Sequence, residues 1–195
     1  NHHPADPREV LNINSVIDRI HLDHRNTEQL LRLMEQEIDH LETGDFTNLP
    51  LLADIMHYFV NCPDLHHHPL EDQVFAVLKK KTPAAAGKVD QVYSEHVRMG
   101  EASESLLELT TELQGNAVTP RNRVVQQFRD YVRQYREHIH REEHELLPAA
   151  ANVLNAGDWQ TLEKQFATNT DPLFGQVLQR QYQTLYKVIM AEAGK

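Results

Sequence analysis

The stretch DLHHHPLEDQVFAVL, residues 64–78, sets three histidines and three acids against an apolar run, V-F-A-V-L. The apolar spacing and the flanking residues predict a helix from about Leu65 to Lys81, with Pro69 tolerated only in its first turn. On that helix His67 and Glu71 are four residues apart and His68 and Glu71 three apart, so both pairs share a face. Val74 and Leu78 continue the stripe from His67 and Glu71, and Phe75 does the same for His68. Imidazoles and a carboxylate therefore point where the apolar residues point. A polar group buried without a partner is costly, so these residues lie on a wet helix start or grip a metal. Periodicity does not choose between His67 and His68.

The rest of the chain also reads as helix. Ser15 can cap a helix to about Glu42, with Gly44 as its stop. A short helix follows from about Leu49 to Val60, one from Pro83 to about Leu113, and one from Thr119-Pro120 to about Asn155, which Pro148 should bend. No alternating strand pattern longer than four residues occurs. The fold class is all-α: an antiparallel four-helix bundle over 15–155, a disordered tail over 1–14 and a C-terminal helical extension over 156–195. In the extension a helix near Trp159 to Ala167, a loop at Asp171-Pro172 and a last helix to Ala193 are expected. Trp159, Phe166, Phe174, Tyr182, Leu185 and Ile189 would pack outside the bundle or pair two protomers as a homodimer.

Composition narrows the function. The formal charge of −10 argues against nucleic acid as a partner. No run of 18 or more apolar residues occurs, so no membrane span is expected, and the start NHHPADPREVLNINSV shows no apolar secretory segment. The single cysteine, Cys62, excludes an internal disulfide and a Cys-based zinc or iron–sulfur site, and suits a reducing, cytoplasmic location. Thirteen histidines are the unusual figure. Placed on the helices, they separate into two kinds.

Ile17, His24, Leu31 and Ile38 are spaced by seven, which puts His24 in the core row of the first helix. Val89, His96, Ser103 and Thr110 form an inward row on the third. On the fourth, the seam Val125, Phe128, Val132, Tyr135, Ile139, Glu142, Leu146 contains Glu142, and His138 precedes it by one turn. His21, at the edge of its stripe, and His57, His66, His140 and His144 read as edge or solvated residues. Tyr58, Tyr131 and Tyr135 read as core, Cys62 as inert, and Asp72, Glu143 and Glu145 as solvated or as partners of ligating imidazoles. Each bundle helix thus offers an inward imidazole and two offer His-x-x-x-Glu: His24; His67 or His68 with Glu71; His96; His138 with Glu142. Imidazole plus carboxylate without thiolate fits iron, manganese or zinc. The number of ligands exceeds what one four-coordinate ion needs, so two metals are expected, each Glu able to bridge them. A ferritin-like di-metal site is excluded, since both Glu-x-x-His matches, Glu37 with His40 and Glu137 with His140, lie on outer faces.

Four stretches, HLDHRNTEQLL, HHPLEDQVF, SEHVRMGEA and EHIHREEHELLP, resemble in order the hemerythrin-like, HHE cation-binding family. The tail segments GDW at 157–159 and DPLFG at 171–175 resemble its longer bacterial members. The resemblance implies a four-helix bundle around a bridged, non-haem di-iron centre. By motif it gives ligand roles to His24, His67, Glu71, His96, His138 and Glu142, with His68 as an additional ligand. The oxygen-carrying members place another histidine four residues after the one on the third helix; here that position is Gly100. The gap leaves an open position or calls on His68 or His21. The expected function is binding or sensing of O2, NO or iron. The alternatives are a di-iron redox enzyme or iron-centre repair protein acting on a small oxidant, and a metal-free helical interaction module.

Overall fold

The computed structural model describes residues 7–115, 118–166, 171–175 and 178–193. Its helices are α1 (Pro7–Thr43), α2 (Leu49–Asn61), α3 (His68–Lys81), α4 (Ala86–Gln114), α5 (Arg121–Arg141), α6 (Leu147–Val153), α7 (Ala156–Phe166) and α8 (Gln183–Ala193). No strand occurs among the described residues. Two π turns, Pro63–His67 and Glu142–Leu146, join α2 to α3 and α5 to α6, so four rods make the bundle.

The core shows which way each rod runs. Buried apolar residues fall into two clusters, one at each end of the bundle. The first holds Leu31 and Met34 of α1, Leu52 and Phe59 of α2, Met99 and Leu106 of α4, and Val125 and Phe128 of α5. The second holds Val16 and Ile20 of α1, Val74 and Phe75 of α3, Val89 and Val92 of α4, and Leu146 with Ala150 after α5. Along the chain the rods therefore pass from second cluster to first, back, forward and back again. That is an antiparallel up-down-up-down bundle. On every rod the change from one cluster to the other occurs at the inward histidine or Glu.

Several element boundaries differ from the sequence expectation for identifiable reasons. The first helix starts at Pro7, not Ser15, because proline at the first helical position is preorganised for the turn. The tail expected to be disordered over 1–14 is thus helical in its backbone from Pro7, and residues 1–6 lie outside the described residues. Ser15 is inside the helix, and its hydroxyl donates to Glu163 on α7 at 3.0 Å rather than capping. Pro148 does act on its rod, but as a π turn one turn upstream instead of a bend at the proline. A proline supplies no N–H and its ring crowds the carbonyl four residues back, so the preceding turn widens. Leu147 N–H then bonds Glu142 O, and before Pro69 the His68 N–H bonds Pro63 O in the same way.

The extension packs on the bundle. Trp159 and Leu162 of α7 join the second cluster, and Tyr182, Leu185 and Ile189 join the first. The apolar residues that suggested a contact between protomers are largely covered within the chain. Phe166 and Phe174 pack at the edges of these clusters.

At the opposite end, Gly44 stops α1 in the left-handed region at φ +83°, with its N–H and that of Asp45 both bonded to His40 O. An L side chain there costs about 1–2 kcal/mol. Gly44→Ala should lower stability by that amount in denaturant titration. The added Cβ would also meet the Arg121 guanidinium at 2.9 Å, but the end of a flexible side chain can move away. An unchanged midpoint would show that the loop rearranges freely.

Candidate metal centre

Between the two apolar clusters lies a buried polar layer. His24, His67, His68, Glu71, His96, His138 and Glu142 are all buried, and the two glutamates are fully so. The structure brings these seven residues together. Their ligand atoms form two groups: His68, Glu71, His96 and His138 in one, and His24, His67, Glu71 and Glu142 in the other. Glu71 belongs to both.

The carboxylate contacts show how the groups are linked. Glu71 Oε1 lies 3.0 Å from His24 Nε2 and 3.1 Å from His67 Nε2, while its Oε2 lies 3.6 Å from His96 Nε2. Glu142 Oε2 is 3.3 Å from both His24 Nε2 and His138 Nε2, and its Oε1 is 3.4 Å from His96 Nε2. Each glutamate therefore spans both groups. One group has three imidazoles and the other two.

The π turn before α3 resolves the choice that periodicity left open. Its wider turn lets both His67 and His68 face inward, and each joins a different group. The His68 ring stacks on His96 with centroids 4.0 Å apart. His68 therefore occupies the three-imidazole side that Gly100 leaves short. His21 does not enter the layer; its Nδ1 lies 3.1 Å from Glu143 at the rim. His57, His140 and His144 are exposed and His66 is partly so, as the helix faces imply.

Three of the imidazoles are held by carboxylates outside the layer and a fourth is approached by one, and these follow the chain in a cycle. Glu143 of the fourth rod holds His24 Nδ1 of the first at 3.0 Å. Asp23 of the first approaches His67 Nδ1 of the second at 3.5 Å. Asp72 of the second holds His96 Nδ1 of the third at 2.9 Å, and Glu95 of the third holds His138 Nδ1 of the fourth at 3.0 Å. A carboxylate accepting from Nδ1–H fixes the tautomer whose Nε2 lone pair faces the layer. Asp72 and Glu143 were expected in this role, whereas Glu145 instead pairs with Lys88 on the surface. Asp23 and Glu95 were missed. The available signal was an acid immediately before His24 and before His96, in LDH and SEH.

Electrostatics show that the layer wants positive charge. Burial opposes the charged form of His24, yet Glu142, Glu143 and Glu71 outweigh it and raise its pKa well above the usual imidazole value. His96 is likewise pushed up to about 10: burial lowers it, but Asp72 and Glu142 dominate. Glu143 is held down to about 2 by its bond to His24, with His21 adding to the effect. Protons alone do not complete the layer. Glu71 Oε2, His96 Nε2, His138 Nε2 and both Glu142 oxygens are buried with no hydrogen bond among the described residues. Such orphaned groups are rare in folded proteins and costly, and here they converge on one spot. Cations held between them would satisfy all five atoms, so the donor set fits metal ions.

The hemerythrin HHE cation binding domain matches residues 15–150. The chain belongs to this family. No curated protein and no solved structure matches the chain at a significant level. The family match and the buried His/Glu groups together make this a metal-binding helical protein. The match ends before α7, so α7, α8 and the turn at 171–175 lie beyond the family domain. Among the described residues no helix is long and apolar enough to cross a membrane. Cys62 is buried and its thiol pushed up to about 12, chiefly by burial, so it stays protonated and inert. Tyr58, Tyr131 and Tyr135 sit in the first apolar cluster.

Proposed function

We propose that the chain holds two non-haem iron ions and uses them to bind or sense a small diatomic ligand, O2 or NO. The observation that carries this reading is the pair of four-residue ligand groups sharing Glu71. His68, His96 and His138 would hold one ion and His24 and His67 the other, with Glu71 and Glu142 within reach of both groups. When bound, the ions supply redox chemistry and a coordination position for the ligand. Oxygen and nitrogen donors without thiolate suit iron or manganese, and zinc is the other candidate. The two-imidazole side has one imidazole fewer, and it is the side on which we place the small ligand.

The chain's own residues set the conditions there. The two apolar clusters above and below the layer exclude bulk water. Outer carboxylates keep the Nδ1 protons of His24, His96 and His138 in place, so these imidazoles present lone pairs inward without rotating. The two bridging glutamates bring limited negative charge, which favours binding over strongly oxidising turnover.

The direct test is metal content and an absorption spectrum on protein purified without air or chelators, before and after O2. Near two irons per chain and a charge-transfer band that responds to O2 are expected. A metal-free protein whose melting point ignores added iron would overturn the reading. The outer carboxylates give a graded test. Glu95 accepts from His138 Nδ1 and also binds the Arg141 guanidinium at 2.7 Å. Glu95→Gln should weaken metal binding about 10–100-fold, as loss of a supporting group does. The readout is competition with a chelator of known affinity, and wild-type affinity would remove Glu95 from the supporting role.

A further inference from the structure

His24 presents its two ring nitrogens to two different neighbourhoods. Nε2 faces the layer, 3.0 Å from Glu71 Oε1 and 3.3 Å from Glu142 Oε2. Nδ1 faces outward, 3.0 Å from Glu143 Oε1, and that same oxygen is 3.1 Å from His21 Nδ1. The ligand atoms of His21, His24 and Glu143 all lie within 4.8 Å of one another. They make a third group of metal-ligating side chains beside the two in the layer.

The local fold explains the convergence. His21 and His24 are three residues apart on α1 and so share a flank. Glu143 comes from the π turn at Glu142–Leu146, which buries Glu142 in the layer and leaves Glu143 at the rim. Outside them opens a cavity of about 280 Å³, lined by His24 and Glu143 together with His140 and His144. His21 and Glu143 are partly exposed, so a cation in solution can reach them. Two arginines also line the cavity. Arg136 is paired with Glu28 and Glu35, and Arg25 is exposed to water, so neither sets an unscreened positive charge on the three ligand atoms.

The donor set fixes the class of cation. Two imidazole nitrogens and one carboxylate oxygen suit zinc, cobalt or ferrous iron rather than calcium or magnesium, which take oxygen ligands. Bonds of about 2.0–2.1 Å place tetrahedral ligand atoms roughly 3.3 Å apart, close to the 3.0 and 3.1 Å found here. The fourth position would face the cavity, where water can fill it. The shared imidazole then couples this group to the layer, because a neutral imidazole keeps one N–H. With an ion on Nε2, the proton sits on Nδ1 and donates to Glu143. With an ion on Nδ1, the proton sits on Nε2 and donates to Glu71.

We propose that His21, Glu143 and the outer nitrogen of His24 form a rim site for one divalent cation of the zinc, cobalt or ferrous-iron class, and that this site and the layer position held by His24 exclude one another. A cation at the rim withholds His24 from the layer, and by linkage the ion that His24 holds in the layer weakens the rim site by the same factor. The rim site stands without the metal layer; its exclusion of the inner ion rests on the metal reading above.

The test is zinc titration of the full chain followed by ring-nitrogen NMR of the histidines, which separates a metal-bound nitrogen from an N–H. In Glu71→Gln with Glu142→Gln, whose layer has lost its carboxylates, His21 and His24 should both show a metal-bound Nδ1, saturably. Adding His21→Ala should weaken that site at least tenfold. His67→Ala, which removes the other imidazole on the His24 side of the layer, serves as a second background should the first not fold. A His21 ring that zinc never shifts in either background overturns the rim site. In the wild type with two zinc ions per chain, His24 should show a metal-bound Nε2 and a protonated Nδ1, and His21 should be unshifted. Metal on His21 and on the inner nitrogen of His24 at once would overturn the exclusion. A wild type that takes zinc only through His21 and the outer nitrogen of His24 would support the rim site and remove the metal layer instead.

Discussion

Glu71→Gln should remove most of the stabilisation that metal confers on this chain. Ligand binding to the folded state alone adds about 2.7 kcal/mol when the free ligand is a hundred times its Kd. Two sites filled to that level add roughly 5 kcal/mol, which for a chain of this size is about 10–20 °C in Tm at 2–4 °C per kcal/mol. Glu71 is the residue common to both ligand groups, with one oxygen toward His24 and His67 and the other toward His96. Glutamine keeps the volume but loses the charge and leaves a weakly ligating amide where both ions need an anion. The expected result is a fall from near two metals per chain to one or fewer, with at least half of the metal-dependent rise in Tm gone. The comparison is between metal-loaded and metal-free samples of each variant, so an effect on the apo fold cancels. Two tightly held ions and an undiminished rise would show that Glu71 is a buried structural acid and would dismantle the shared-carboxylate reading.

The same sharing explains which parts of the centre were legible in the sequence. His24 and His96 stand in heptad rows of buried residues, and Glu142 stands in the α5 seam, so a 3.6-residue period places them without knowledge of neighbours. His67 and His68 could not be separated because the period itself changes there. The π turn at Pro63–His67 adds a residue to the turn, and both imidazoles come inward, each to a different group. The trigger, Pro69, was visible, but proline near a helix start ordinarily reads as an N-terminus rather than as a widened turn. The carboxylate cycle was harder still. That Glu95 serves His138, and Asp72 serves His96, depends on which rods are adjacent, and no single-helix pattern encodes adjacency. The turn at Asp171–Gly175 carries no periodicity at all. Only its glycine hints at a tight turn, and only the fold shows that the turn lines the same cavity as His67.

His68 offers the sharpest test of how this chain completes a site with Gly100 in place of a histidine. Residue 100 lies one turn after His96 on α4, so a side chain there would project to the same face. His68 reaches that neighbourhood from α3 instead and stacks on the His96 ring at 4.0 Å. His68→Ala should therefore strip the three-imidazole side to two imidazoles and weaken one of the two metals by more than the roughly 10–100-fold that a supporting group contributes. Adding Gly100→His to that variant should restore it, because removing the His68 ring frees space beside His96. The second change also replaces glycine within a helix, which favours the helix by a few tenths of a kcal/mol, so a loss of fold is not expected to mask the result. Metal titration by calorimetry on the three proteins decides the matter. Wild-type affinity at both sites in His68→Ala would exclude His68 as a ligand. A folded double variant that still binds one metal would show that position 100 cannot reach the layer. Recovery of the second metal would establish that two different helices can supply the same imidazole, and that a π turn on one compensates for a glycine on the other.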